Sequence, residues 1–274
     1  MRACKFKIMF AVFLIFNFSF LIPKEAKASF EMHPASVLLL GRGGWSVADE
    51  ACASMENCAA SSKKLNWEAG GANFYGISSL NEYFFSLNVP LKTGGFNFIH
   101  SMLKFSSVYR ENVYSFSFNR RLTKKINAGM RFNVFQLDVE KFEQGLASRR
   151  SYSDYALGAL YREKYFNLGV SFLSLNSKDV TFKKVSERTP ASVRYGLMLK
   201  PVKGTTIGVD CASGETPMAG IEIETAGALR SAVGIRKNVF TMGFSLRLPV
   251  MWVNFSMMVN NEIGNTYFIS ISRK

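Results

Sequence analysis

Apolar residues recur at every second position through most of this chain. Near the C-terminus Leu229, Val233 and Ile235 alternate with Arg230, Ala232, Gly234 and Arg236. Phe240, Met242, Phe244, Leu246 and Leu248 then alternate with Thr241, Gly243, Ser245 and Arg247. Met251, Val253, Phe255, Met257 and Val259 follow, and finally Tyr267, Ile269 and Ile271. Period two is the strand period, because successive side chains leave a strand on opposite faces. One face of the resulting sheet is continuously apolar and the other is small, polar or cationic. A soluble sandwich buries the apolar face; a membrane barrel turns it to lipid and keeps the polar face for the lumen.

The same rhythm starts earlier. Tyr83, Phe85, Leu87, Val89 and Leu91 form one apolar stripe, closed by Lys92-Thr93-Gly94-Gly95 as a hairpin turn. Tyr114, Phe116 and Phe118, then Tyr155, Leu157, Ala159 and Tyr161, then Val193, Tyr195, Leu197 and Leu199 form others. Parity changes twice. Met130, Phe132 and Val134 give way to Phe135, Leu137 and Val139, and a similar switch separates Phe172 from Leu173. A β-bulge at each place is the expected device, since one extra residue restores the apolar face. Residues Asn176 to Thr189 are polar and charged and read as the longest loop. The pattern predicts an all-β protein: a closed antiparallel transmembrane β-barrel of about fourteen strands over residues 66–274. An even count leaves both ends on the periplasmic side.

The N-terminus supports membrane residence over a soluble sandwich. Arg2, Lys5 and Lys7 precede an apolar run from Ile8 to Ile22, followed by Pro23 and a small-x-small site at Ala26-Lys27-Ala28. That order is the export signal, and the run is shorter than the roughly 20 residues a spanning helix needs. Residues 1–28 are expected to be removed. Residues 29–65 lack period two and contain Gly41-Arg42-Gly43-Gly44. This glycine run is not a phosphate loop, because it follows no strand of a βαβ unit and lacks the Walker Lys-Ser/Thr.

Net charge is +14 in 274 residues. In an exported chain with dispersed cations this points away from nucleic acid and toward lumen positions and loops beside anionic lipid headgroups. An enzyme needs a constellation, and the only histidines, His33 and His100, have no partner at metal or triad spacing. No metal site, cofactor or catalytic residue is expected; His100 reads as a lumen or girdle residue. Cys52 and Cys58, six apart, can pair in an oxidising compartment, or simply fill small positions; Cys211 has no evident partner. On the polar face fall Arg131, Arg194, Arg230, Arg236 and Arg247, together with Asp138, Glu140, Asp210, Glu222 and Glu224. Glu222 and Glu224 neighbour Arg230 across a predicted hairpin, so they can pair. Such a charge ladder either holds a narrow barrel shut or lines a polar path, and the first is the plainer reading.

The run Val47-Ala48-Asp49-Glu50-Ala51-Cys52-Ala53-Ser54-Met55-Glu56-Asn57-Cys58-Ala59-Ala60, preceded by Gly41, Gly43 and Gly44, resembles the N-terminal signature of the PorV/PorQ and FadL-like (fatty-acid-transporter) outer-membrane barrels. Gly264 to Ser272 is similar to that family's closing strand. The resemblance implies a short N-terminal plug, residues 29–65, lodged inside the barrel and marked by Gly41, Arg42, Gly43, Gly44, Asp49, Glu50 and Asn57. In the plug, Asp49 and Glu50 are placed to reach the ladder arginines. The resemblance also implies a cell outer-membrane protein that binds or passes small apolar molecules. Two alternatives stand beside it: an accessory barrel of protein secretion that docks envelope or secreted proteins, and a soluble secreted β protein.

Overall fold

The computed structural model describes residues 36–49, 56–60, 62–139, 148–176, 179–182, 185–188, 191–213 and 215–273. The expected leader, Glu50, Cys52, His33 and Glu140 lie outside them. Fourteen strands close into one antiparallel barrel. In chain order they are β1 (Asn66–Asn73), β2 (Leu80–Leu91), β3 (Gly94–Phe105), β4 (Tyr109–Arg121), β5 (Ile126–Val139), β6 (Ser148–Arg162) and β7 (Phe166–Leu173), then β10 (Ser192–Leu199), β11 (Thr205–Ala212), β12 (Met218–Thr225), β13 (Leu229–Arg236), β14 (Val239–Arg247), β15 (Trp252–Val259) and β16 (Thr266–Arg273). Strand β1 pairs with both β2 and β16, which removes every sheet edge. Between β7 and β10 the stretch read as a long loop carries a separate hairpin, β8 (Asp179–Phe182) with β9 (Val185–Arg188).

The apolar rows point outward. Phe116, Phe118, Met130, Phe240, Phe244 and Ile269 are all exposed, while Ser115, Ser117, Asn119, Thr241, Ser245 and Ser270 are buried. A soluble sandwich would show the reverse, so that alternative falls. Short turns gather at the end where β1 begins and β16 ends, which marks that end as periplasmic. At the opposite end the two-residue turn Lys237-Asn238 has positive φ at both residues (48° and 65°), the backbone that matches strand twist in a tight hairpin.

Neither expected bulge exists. The register of β4, β5 and β6 runs unbroken through Val134 and Phe135, and that of β7 through Leu173. Parity is kept and the surroundings change instead. Up to the row Ser115–Asn133–Asp154 the inward face is polar; from Val113–Phe135–Tyr152 onward it is mainly apolar, with the carboxylate of Glu111 buried opposite Leu137 and bonded by Tyr109. Outward, Phe116 and Phe132 give way to Asn112 and Gln136, then to Arg110 and Asp138. Strand β6 has 15 residues, more than the roughly 9–11 that cross a bilayer. The long strands therefore stand above the membrane, with water outside and an apolar lobe inside. Asp138 is accordingly on the outer surface, where Arg149 Nε meets its Oδ1 at 3.4 Å, and not on the lumen face expected from a bulge.

Candidate functional site

Residues 36–49 and 56–60 are buried inside the barrel, and glycines of the wall admit them. Helix α1 (Val37–Gly41) lies over β14 and β15. A Cβ on Gly41 would stand 2.6 Å from Gly243 Cα. Further along, the Arg42 backbone covers Gly220 and Gly234, the Trp45 ring covers Gly208, and Val47 with Ala48 covers Gly196 and Gly169. Asn57 then meets Gly158 and Cys58 meets Gly129. Eight wall strands that are consecutive around the barrel each present one inward glycine, and any side chain there would strike the N-terminal segment. Alternation alone does not mark these glycines as a seat, although each stands at a polar-parity position inside its strand, where glycine signals close backbone approach.

Polar contacts tie the segment to the wall. Val37 N donates to Glu68 Oε1 at 2.9 Å, and Ser46 and Val47 N–H both donate to Asp210 Oδ2, at 2.6 and 2.8 Å. Asn57 Nδ2 donates to Val47 O at 2.7 Å and Ala159 O at 3.1 Å. Asn119 and Asn127 donate to Ala60 O and Ala59 O. Arg42 is the electrostatic centre. Its guanidinium pairs with Asp49, reaches Glu222 Oε2 at 2.8 Å and lies 3.9 Å above the Trp45 ring.

Of the expected ladder, Arg194 pairs with Glu56 and approaches Glu215 at 3.5 Å. Arg230 pairs with Glu224 at 2.9 Å and stacks over Trp252. Arg131 is buried within the electrostatic reach of Glu56, Asp154 and Cys58. Arg236 is buried with Nη1 against Gly44. Arg247 departs from the ladder: it sits exposed at the periplasmic rim and donates to Gly227 O at 3.5 Å, because β14 ends there. His100 is on the outer face, stacked on Tyr114 with ring centres 4.6 Å apart. Cys58 and Cys211 are free thiols. Cys58 Sγ points at the wall, 3.8 Å from Ala156 O, and Cys52, its expected partner, lies outside the described residues. Burial pushes the Cys58 thiol up from its ordinary range, with the nearby Arg131 charge opposing.

Above the N-terminal segment lies the apolar lobe. Phe84, Ile99, Val113, Phe135, Leu137 and Phe268 cluster with Val37 and Leu40 of α1, which join the lobe to the segment. Phe135 and Tyr152 stack at 4.5 Å, and Phe74 meets Phe268 edge-on at 5.9 Å. On the periplasmic side of the segment a cavity of about 300 Å³ is lined by Leu38, Arg42, Asp49, Lys200, Glu222 and Arg230. Packed apolar lobe, docked segment and charged vestibule thus succeed one another along the lumen.

These features define a lipid-facing fourteen-stranded barrel whose lumen is occupied by its own N-terminal segment. No family model and no curated protein matches the chain. Solved structures do. The CymD monoaromatic hydrocarbon channel aligns with a TM-score of 0.66 at 12% identity, over 89% of this chain and 98% of that one. The toluene transporter TbuX of Ralstonia pickettii gives 0.65 at 10%, over 90% and 100%. A Pseudomonas aeruginosa FadL homologue gives 0.57 at 9%, over 90% and 99%. The fold is that of the FadL-type outer-membrane barrels.

Proposed function

We propose that the chain is an outer-membrane channel that takes small apolar molecules into its apolar lobe, with the N-terminal segment acting as the plug. The carrying observation is the apolar lining of a lumen that is otherwise polar: Phe135, Leu137 and Phe268 face inward where a barrel interior is normally wet. Apolar solutes leave water for such a lining spontaneously, at about 25 cal/mol per Å² of surface removed. The channels it resembles in fold are described as passing monoaromatic hydrocarbons or toluene, which agrees with a lobe walled by aromatic rings. The ladder arginines and carboxylates clamp the plug against the wall instead of binding the solute. Uptake of radiolabelled toluene into proteoliposomes is the test. Uptake above that of empty vesicles, reduced by Leu137→Asp, is expected; equal uptake with and without protein refutes the channel.

A second reading, an accessory barrel of the PorV/PorQ kind, draws on the N-terminal motif and on the polar outer wall at Arg110, Gln136 and Asp138. Affinity capture from detergent extracts that recovers no envelope protein would remove it.

A further inference from the structure

At the extracellular end of the barrel two cations face each other on the outer wall. Lys104 of β3 and Arg110 of β4 are direct register partners. Each shares the parity of the lipid-facing residues of its strand, Phe96 and Phe98 on β3 and Phe116 and Phe118 on β4. Like charges directly opposite each other destabilise a sheet. Among the described residues neither side chain has an ion-pair or hydrogen-bond partner. Asp138 stands opposite Arg110 in register, but it is met by Arg149 at 3.4 Å, and Arg149 also donates to Gln136 Oε1 at 3.0 Å. Glu82 and Glu111 have the opposite parity and are buried inside the barrel. The height of the pair matches a membrane surface. Arg120, near the other end of β4, has the same outward parity and is exposed. The ten residues from Arg110 to Arg120 rise about 33 Å along the strand. At a tilt of about 40° that is about 25 Å along the membrane normal, the height of the apolar band of an outer-membrane barrel. Between the two arginines the outer face carries a ridge of rings. Phe98 lies 6.4 Å from Phe85 and 5.2 Å from Phe116, centre to centre, and His100 stacks on Tyr114. Lys104 and Arg110 therefore stand in the headgroup layer of the extracellular leaflet, on the same face as the rings that meet hydrocarbon.

We infer that this pair seats a phosphate of lipid A, the phosphorylated glycolipid of the outer leaflet, with an acyl chain lying along Phe98, Phe116 and the His100–Tyr114 stack. The inference rests on the membrane face and orientation of the barrel, and not on what passes through its lumen. Arg110 offers a planar donor fork and Lys104 a point charge, which together suit a phosphate held between them. The anion turns a repulsive pair into a clamp that joins β3 to β4 and fixes the depth of the barrel in the outer leaflet. An anionic phospholipid and free inorganic phosphate carry the same group. The extracellular position selects lipid A over a phospholipid of the inner leaflet, and the ring ridge selects a lipid over the free ion, so the sources separate by experiment.

The test uses the purified full chain in neutral detergent and native mass spectrometry with lipid A, lipid A stripped of its phosphates, phosphatidylglycerol or inorganic phosphate. Lipid A should be retained above both other lipids, and millimolar inorganic phosphate should not displace it. Each cation beside an anionic headgroup contributes roughly a fivefold factor, so Lys104→Gln/Arg110→Gln should bind about 25-fold more weakly. Arg120→Gln, at the periplasmic end of the same face, should bind as the parent does. Heat-modifiable gel mobility reports whether each barrel is intact. Because the double variant relieves a repulsion, it should unfold in lipid-free detergent at the same temperature as the parent or higher, and lipid A should raise only the parent's value. Equal retention of the stripped lipid, phosphatidylglycerol held as tightly as lipid A, competition by inorganic phosphate, or equal loss in Arg120→Gln would overturn the inference. So would a lower unfolding temperature of the double variant in lipid-free detergent, since the two cations would then already be compensated.

Discussion

Replacing Arg42 with Met tests whether the plug is clamped electrostatically. The side chain keeps its length and loses its charge. Arg42 is 5% exposed, Asp49 6% and Glu222 14%, so removal leaves two carboxylates in a site built around a cation. Breaking a buried pair from one side costs about 3–5 kcal/mol. Glu222 borders the vestibule cavity and can be partly rehydrated, which favours the lower end, about 3 kcal/mol. That corresponds to a shift of roughly 100-fold or more in the balance between docked and undocked plug. The wall is unaffected, because its register contains no bond to Arg42. Hydrogen exchange in detergent reads the difference directly. The amides of Gly43, Gly44 and Asp49 are held by Leu40 O, Leu39 O and Ser46 O, and should exchange about 100-fold faster in the variant, while strand amides stay protected. Adding Glu222→Gln should recover part of the loss. Unchanged exchange at those three amides, in a barrel that still shows heat-modifiable mobility, would refute the clamp.

Further expectations follow from the same structure. Gly158→Leu puts a side chain where Asn57 lies, so the plug should fail to seat and planar-bilayer conductance should rise in an otherwise intact barrel. Phe116→Arg places a cation on the lipid face and should cost about 2–4 kcal/mol in unfolding from vesicles if the residue is near the midplane; an unaffected midpoint would contradict the membrane assignment. Phe135→Ala should lower apolar solute uptake about tenfold, since burying a large aromatic contributes about 1.5–3 kcal/mol. Cys58 has a raised thiol pKa, so it stays protonated through and above the ordinary thiol range. Any stability it contributes is complete below that range and is lost as pH rises through the raised value. Maleimide labelling at pH 8 should be slow in the folded chain and fast in urea, and equal rates would exclude a buried thiol.

The barrel was legible in the sequence because lipid enforces a simple rule: every second residue of a spanning strand must be apolar. Tyr83 to Leu91, Phe240 to Leu248 and Tyr267 to Ile271 obey it, and strand number and direction follow. The rule also misled. Phe135, Leu137, Val139 and Leu173 looked like apolar stripes displaced by bulges, because an apolar residue in a barrel strand was assumed to face lipid. Only the tertiary structure shows that β5 outruns the membrane, so that the same parity meets water outside and an apolar lobe within at Phe135 and Leu137, while Leu173 simply ends β7 on its inward face. The alternation of a strand reports two different neighbours; it does not say which neighbour is oil. For the same reason the inward glycines were visible as letters but not as a seat. Their meaning depends on a segment far away in the chain, about two hundred residues from Gly243 for instance, whose backbone contact is made only once the barrel closes around it.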